Sequence, residues 1–213
     1  MPAGTPALWL IAGPNGAGKT TLVRHGPLSG VLPDVSALNP DDATLALLRV
    51  AGIQHFADAP PDTLRVMFAR AADQVLAEAQ RLIADGKAVC LETVLSTEKY
   101  LPLVERVAGQ GGFFGLIYIA TASPGICISR VACRVAQGGH DVPATRIAGR
   151  WRRSLELLPK FAARASHFWI FDNSDATSDK APPLVVEGRD GKVTFIADGT
   201  FAELSNAIAG LRR

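Results

Sequence analysis

A glycine-rich segment near the start of the chain has the residue types and spacing of a phosphate-binding loop. Gly13 is followed by four residues and then by Gly18, Lys19 and Thr20. Glycines let consecutive backbone N–H groups point at one phosphate, and a helix beginning at Lys19 adds its positive end. Lys19 would bridge the outer phosphates and Thr20 would ligate magnesium. The motif predicts ATP and Mg²⁺ as cofactors, bound by Gly13, Pro14, Asn15, Gly16, Ala17, Gly18, Lys19, Thr20 and Thr21.

The segments around this loop alternate between strand and helix patterns. Apolar runs predict strands over 7–12, 88–94, 112–120 and 168–174, and 184–199 reads as a hairpin turning at 189–191. Helical spacing predicts helices from 19, over 42–52, 60–87, 96–112, 124–135 and 144–165, and a closing helix over 200–213. This alternation predicts an α/β fold with a mostly parallel sheet flanked by helices and ligands at the carboxyl ends of the strands.

Several polar residues stand where these helices should begin. Asp62 is expected to cap the long helix, Ser96 the following one, and Ser123 with Pro124 the cap and first position of the next. Asn173 and Ser174, which follow the fourth predicted strand, are candidates to meet the adenine.

Composition indicates a single folded unit. The 213 residues are 48% hydrophobic with a net charge of +2, which favours one domain over 1–213 and argues against a general nucleic-acid binder. The start lacks a basic leader and the apolar run is too short for a membrane, so we expect a cytoplasmic protein. Three cysteines outside any metal-binding pattern are expected to be buried reduced thiols.

Basic residues concentrate in one region, where 130–164 contains eight basic residues and two acids. Arg130 and Arg134 lie four apart on one predicted helix, and Arg146, Arg150 and Arg153 share a face of the next. The glycine-containing segment 137–143 joins these helices. We therefore predict a helical lid over about 130–153 that brings guanidinium groups to the phosphates, with Arg134 and Arg146 as catalytic groups and Arg150 on the nucleotide.

The same phosphate loop occurs in transporter-type ATPases, but their other parts are missing from the sequence. A transporter needs a signature close to LSGGQ far downstream and a strand ending in two acids. Here LSG stands at 28–30, close to the first helix, and the strand AVCLET carries a single carboxylate, Glu92. The sequence therefore favours an enzyme that passes the phosphate to an acceptor.

Four segments carry a more specific resemblance: GPNGAGKTTL at 13–22, LNPD at 38–41, LETVLS at 91–96, and the region from RVACRV through QGGHDVP to the following arginines. Over about 7–175 the chain resembles the zeta toxin family and its predicted relatives, small P-loop kinases that act on a hydroxyl of a nucleotide sugar. The resemblance implies a kinase-type P-loop fold, and it implies that a C-terminal hairpin and helix over 183–213 are an addition.

The resemblance also implies roles for individual residues. Asp41 stands where the family keeps its catalytic acid, which would accept the proton of the attacking hydroxyl. A helix cap is the structural alternative for Asp41, and Asp42 is available for either role. Glu92 and Thr93 are implied to contact the substrate, with orientation of magnesium through water as an alternative for Glu92. His140 and Asp141 are implied to fix the hinge.

The sequence thus predicts a Mg²⁺- and ATP-dependent kinase acting on a small-molecule hydroxyl, with a UDP-activated amino sugar as the acceptor that the resemblance implies. A nucleotide-dependent switch or partner-binding ATPase is the alternative from another class. An RNA-end kinase is disfavoured because no aromatic platform for stacked bases is evident. The resemblance further raises an antitoxin protein as a partner, and no membrane association is expected.

Overall fold

The computed structural model describes residues 4–25, 32, 37–175 and 181–211. Its strands are β1 (Ala7–Ala12), β2 (Ala37–Leu38), β3 (Ala88–Thr93), β4 (Phe113–Ala120), β5 (His167–Asp172), β6 (Leu184–Arg189) and β7 (Lys192–Ile196). Its α-helices are α1 (Lys19–His25), α2 (Pro40–Val50), α3 (Pro61–Ala84), α4 (Leu101–Gly109), α5 (Pro124–Ala136), α6 (Ala144–Ala162) and α7 (Ala202–Ile208). Phe56–Asp58 and Ala209–Leu211 form single 3₁₀ turns.

Within the described ranges the strands form one sheet in the order β2-β3-β1-β4-β5-β6-β7. The pairings from β2 to β5 are parallel, and β6 and β7 join antiparallel. The mostly parallel α/β fold predicted from the alternation of segments is therefore confirmed. The predicted hairpin is also confirmed, and it turns at Asp190 and Gly191, which both have positive φ. β1 lies between β3 and β4, so the loop that follows it lies near the middle of the sheet, at the carboxyl ends of the parallel strands.

The two faces of the sheet are covered differently. Alternate side chains such as Leu8 and Leu10 pack into the larger core cluster, which contains residues of α3, α4, α6 and α7. Trp9 and Ile11 point to the opposite face, where Leu22 of α1 joins their cluster. A third apolar cluster ties α5 to α6 and includes Val142 from the segment between them. The helices of the predicted lid are thus packed on each other.

Two predictions about local structure were wrong, and one strand was not predicted. The helix expected from Ser96 begins at Leu101 instead, because Pro102, which has no backbone N–H, suits the first turn and shortens the helix. Asp62 lies in the first turn of α3, but Pro60 occupies the cap position and makes no side-chain cap bond. The two-residue strand β2 was not predicted, since so short an element has no periodicity. Ser123 and Pro124 do stand at the cap and first position of α5, without a side-chain cap bond.

The cysteines also differ in part from expectation. All three are free, and Cys90 and Cys127 are buried as predicted, whereas Cys133 is exposed on α5. The LSG sequence at 28–30 lies outside the described residues. In the described part of the chain, every helix is too short or too polar to cross a membrane.

Candidate active site

The glycine-rich loop follows β1 and leads directly into α1, as the motif requires. Gly16 and Gly18 have φ of 79° and 93°, in the left-handed region that side chains disfavour. A Cβ at Gly16 would lie 2.5 Å from the Cys127 carbonyl oxygen, and one at Gly18 would lie 2.4 Å from the Asn173 side-chain nitrogen. Conformation requires glycine at both positions, and the backbone contact at Gly16 requires it as well. These contacts place the loop between α5 and the end of β5.

Lys19 is nearly enclosed by this loop, with 8% of its surface exposed. Its Nζ donates to the carbonyl oxygens of Gly13 at 2.8 Å and Pro14 at 3.2 Å, and it lies 3.9 Å from a Glu92 oxygen. Burial lowers the pKa of the Lys19 ammonium, while the charge of Glu92 acts in the opposite direction. A phosphate in the loop would offer this ammonium a charged acceptor in place of neutral carbonyls.

Glu92 lies at the carboxyl end of β3, where the sequence predicts it, and joins two neighbouring elements. The Thr20 hydroxyl donates to its two carboxylate oxygens at 3.2 and 3.3 Å, and Asn39 Nδ2 donates to one of them at 3.0 Å. Burial raises the pKa of Glu92, although the adjacent Lys19 ammonium lowers it. Thr93 lies beside it, and its hydroxyl accepts from the backbone N–H of Leu95 at 3.1 Å.

Hard oxygen donors suited to magnesium therefore meet at the start of α1. The Thr20 hydroxyl and the Glu92 carboxylate are in contact, and magnesium prefers such oxygens together with phosphate and water. Among the residues that the structure describes, no group of three or more His, Cys, Asp or Glu side chains could hold a metal ion. This pair fits a magnesium ion that arrives with nucleotide phosphates better than one held by the protein alone.

Asp41 stands in the first turn of α2, and the cap of that helix is a different residue. Asn39 occupies the N-cap, where its side-chain oxygen accepts from the Asp41 backbone N–H at 2.8 Å. The interpretation of Asp41 or Asp42 as the cap is therefore wrong. Asp41 lines the cavity beside the phosphate loop, whereas the cavity lining does not include Asp42, whose side chain is exposed.

The arginines of α5 and α6 face the same cavity in four of the five predicted cases. Arg130, Arg134, Arg146 and Arg150 line it, whereas Arg153 is exposed outside it, so the predicted face of α6 is shorter than expected. Arg150 donates to the Asn15 side-chain oxygen at 3.1 Å. Burial, and then the neighbouring Arg146, lower the pKa of Arg150. Cations crowded in this way are stabilised by a bound anion.

Arg134 is anchored at the end of α5 by the segment between the helices. One terminal nitrogen donates to the His140 carbonyl oxygen at 2.8 Å, and the buried Nε has no hydrogen-bond partner among the residues that the structure describes. The centroid of the His140 ring lies 4.4 Å from that of Phe68 and 5.2 Å from that of Phe56. The segment after α5 therefore packs against the beginning of α3 and the 3₁₀ turn before it. These contacts agree with a role for His140 in fixing this segment.

Of the two residues predicted to meet the adenine, Asn173 lines the cavity beside the phosphate loop and Ser174 does not. The Asn173 side-chain nitrogen donates to the Ala17 carbonyl oxygen at 2.7 Å, and the backbone carbonyl oxygen of Asn173 accepts from Arg130 at 2.7 Å. The Ser174 hydroxyl bonds to Asp172 and accepts from the backbone N–H of Ala122. Both residues tie the loop after β5 to its neighbours.

A single cavity of about 1090 Å³ brings most of the predicted residues together. Three residues of the phosphate loop, Gly13, Pro14 and Ala17, are buried and do not line the cavity. The predicted residues on its wall are Asn15, Gly16, Gly18, Lys19, Thr20, Thr21, Asp41, Glu92, Thr93, Arg130, Arg134, Arg146, Arg150 and Asn173. The wall also includes Asn39, Arg65 and Lys99, which sequence reasoning missed. Only Asn39 carried a signal, as an Asn-Pro pair at a helix start.

Comparison with known proteins identifies a matching family and similar folds. A family model described as AAA domain matches residues 8–158. Among curated protein sequences, no relative matches the chain. The crystal structure of AvrRxo1-ORF1:-ORF2 with ATP is similar at 14% identity and a TM-score of 0.68, over 97% of this chain and 63% of that one. A structure from the PezAT chromosomal toxin-antitoxin system of Streptococcus pneumoniae is similar at 16% identity and a TM-score of 0.55, over 96% and 77%.

At these identities the similarity establishes the fold. The chain spans less than two thirds of the length of the AvrRxo1-ORF1:-ORF2 structure that it matches. Two predictions from the sequence are confirmed at the level of the fold. They are the kinase-type P-loop fold and the resemblance to zeta-toxin-like proteins.

Proposed function

We propose that this chain, which belongs to the AAA domain family, is an ATP- and magnesium-dependent kinase that transfers the γ-phosphoryl group to a hydroxyl of a small molecule. The acceptor class that we propose is a UDP-activated amino sugar, as the sequence resemblance implies. We place the enzyme in the cytoplasm, where both cofactors are abundant.

One observation carries the proposal: a carboxylate, a phosphate loop and a set of arginines face one another across the same cavity. Asp41 lies on one wall, Lys19 at the base, and Arg134 and Arg146 on the wall formed by α5 and α6. Sites for single small ligands measure roughly 300–1,000 Å³. A cavity of about 1090 Å³ lies at the top of this range, which leaves room for an acceptor beside the nucleotide.

The proposed transfer uses these residues for positioning and for charge stabilisation. Asp41 accepts the proton of the acceptor hydroxyl while the hydroxyl oxygen forms a bond to the γ-phosphorus. The bond between that phosphorus and the bridging oxygen breaks, and ADP leaves with the electron pair. Lys19, Arg134 and Arg146 stabilise the negative charge on the transferred group, and Arg150 with Asn15 holds the nucleotide. Magnesium, bound through Thr20 and oriented by Glu92, would neutralise phosphate charge.

The experiment that tests this proposal follows label from γ-labelled ATP in the presence of magnesium and a panel of UDP-sugars, nucleosides and short RNAs. We expect label on one sugar acceptor, reduced about 10²-fold or more in Lys19→Ala because that ammonium contacts the transferred group. Lys160→Ala is the matched control, since Lys160 is exposed and paired with Glu98 on the protein surface. It should transfer label normally.

Other outcomes of the same assay would overturn the proposal in different ways. Label that appears only as free phosphate with every acceptor would favour the nucleotide-dependent switch. Label on RNA alone would favour an RNA-end kinase.

An antitoxin protein is the partner that we propose. The similar structures include one from a toxin-antitoxin system and one of a two-component complex. Expression of the chain alone should arrest growth of a host cell, and Lys19→Ala should relieve the arrest. Normal growth with active enzyme would contradict a toxin role.

A further inference from the structure

The side chain of Asn39 connects two acids of the candidate active site. Its Oδ1 accepts from the backbone N–H of Asp41 at 2.8 Å, and its Nδ2 donates to Glu92 Oε2 at 3.0 Å. Asn39 itself is half-buried and lines the cavity. One amide therefore contacts both the helix turn that carries Asp41 and the carboxylate beside the phosphate loop.

The strand before Asn39 explains how the two ends meet. β2 pairs with β3 in parallel, with Ala37 opposite Cys90 and Leu38 opposite Leu91. Continuing this register by one residue places Asn39 beside Glu92. Because β2 has only two residues, backbone pairing ends there, and the side-chain bond from Asn39 to Glu92 extends the connection to the start of α2.

The identity of the residue matters for this double contact. Ser, Thr, Asp and Asn are all good N-caps, since each offers an oxygen to the first-turn N–H groups. Among them only Asn also carries an amide NH₂ group, which can donate to a neighbouring carboxylate. Capping alone would be satisfied by any of the four, so the bond to Glu92 is the contact that specifically uses asparagine.

The charges around Glu92 make its orientation important. The pKa of Glu92 is lowered by the charge of Lys19 on α1 and raised by the charges of Asp41 and Asp42 on α2. Thr20 donates a hydrogen bond to the carboxylate. A carboxylate that turned toward α2 would move closer to two like charges and away from the phosphate loop. The Asn39 amide holds it between the loop and the helix.

We propose that Asn39 is a positioning residue for phosphoryl transfer, which fixes Asp41 relative to Glu92 and the phosphate loop through the two ends of its side chain. This inference rests on the proposed kinase function for its effect on rate. It assigns no direct contact with substrate to Asn39.

Two variants that keep the helix cap test the inference. Asn39→Ser retains a cap oxygen and removes the amide donor, and Asn39→Asp retains size and cap while placing a carboxylate against Glu92. We expect both to keep ATP affinity within about threefold and to lose on the order of 10²-fold in kcat, the effect of a small misplacement of reacting groups. Asn206→Asp, the same change at an exposed position of α7, should behave as wild type.

A double-mutant cycle separates positioning through Glu92 from a general effect on folding. In a Glu92→Ala background, Asn39→Ser should change kcat by less than about twofold, because the acceptor of the Asn39 amide is already removed. Losses that multiply, or a wild-type kcat in Asn39→Ser and Asn39→Asp, would overturn the inference.

A measurement without turnover keeps this inference distinct from the proposed function. The side-chain amide protons of Asn39 should exchange slowly with water in the wild-type protein and faster in Glu92→Ala, as followed by ¹⁵N NMR. If the wild type transfers no phosphate, the kinase proposal fails while this exchange still reports the link. Equal exchange in both proteins would show that the link is absent.

Discussion

At the scale of single residues, the Glu92 carboxylate is the point where the phosphate loop, β3 and α2 meet. It accepts hydrogen bonds from Thr20 and Asn39 and lies 3.9 Å from the Lys19 ammonium. Groups from α1 and from the cap of α2 thus meet at one strand-end residue of β3. This arrangement leaves Asp41, on the adjacent first turn of α2, free to face the cavity.

The proposed base can be tested by one substitution. Asp41→Asn keeps the size of the side chain and removes the proton acceptor, so ATP binding should be unchanged while transfer falls by about 10²-fold or more. Nucleotide titration and label transfer measure the two effects. Asp42→Asn is the comparison, and a larger loss there than in Asp41→Asn would move the role to Asp42.

The sequence predicts this site unequally, for physical reasons. The phosphate loop is contiguous, so its glycines, Lys19 and Thr20 follow from spacing alone. Glu92 was found because a strand end in a parallel sheet opens toward ligand. Asn39 was missed as a functional residue because its second contact depends on the register of a two-residue strand, and Arg65 and Lys99 reach the cavity only through packing of α3 and the 94–100 segment.

At the scale of elements, α5, the segment 137–143 and α6 form one wall of the cavity. The segment is packed closely at its start, since a Cβ at Gly139 would lie 2.5 Å from Arg134 Cγ. His140 then rests against Phe68 of α3 and Phe56 of the preceding 3₁₀ turn. The wall that carries the arginines is therefore connected through an aromatic contact to the wall formed by α3.

This contact predicts a pH dependence of stability. Burial lowers the pKa of His140 below its unfolded value of about 6.5, so between the two values the unfolded chain binds more protons than the folded protein. Stability should therefore fall as pH decreases below about 6.5. His140→Gln should flatten this dependence in thermal unfolding between about pH 5 and pH 7. His55→Gln, at an exposed position, should leave it unchanged, and an unchanged slope in His140→Gln would refute the prediction.

Elements were predicted well where apolar periodicity was strong and poorly where a boundary depended on one residue. The strands β1, β3, β4 and β5 and the helices α3, α5 and α6 follow from their patterns. The start of α4 was misplaced because a capping type, Ser96, competes with Pro102, which fixes the first turn five residues later. Ser96 instead lines the cavity, which gives the 94–100 segment a place in the site.

At the scale of the whole molecule, the parallel order β2-β3-β1-β4-β5 collects the site at one edge of the sheet. The ends of β1 and β3, the start of α2 and the helices after β4 all open toward the same cavity. The hairpin of β6 and β7 extends the sheet at the far side, and α7 packs on the common core. The arginines therefore lie on a wall formed by α5 and α6, outside the sheet.

We propose that the site passes the γ-phosphoryl group to an acceptor hydroxyl and not to water. The most direct test measures ADP and free phosphate together, with magnesium and ATP, before and after addition of UDP-linked amino sugars. We predict that one acceptor raises ADP formation well above phosphate release, with the difference recovered as phosphorylated sugar. Equal amounts of ADP and free phosphate with every acceptor would contradict the claim.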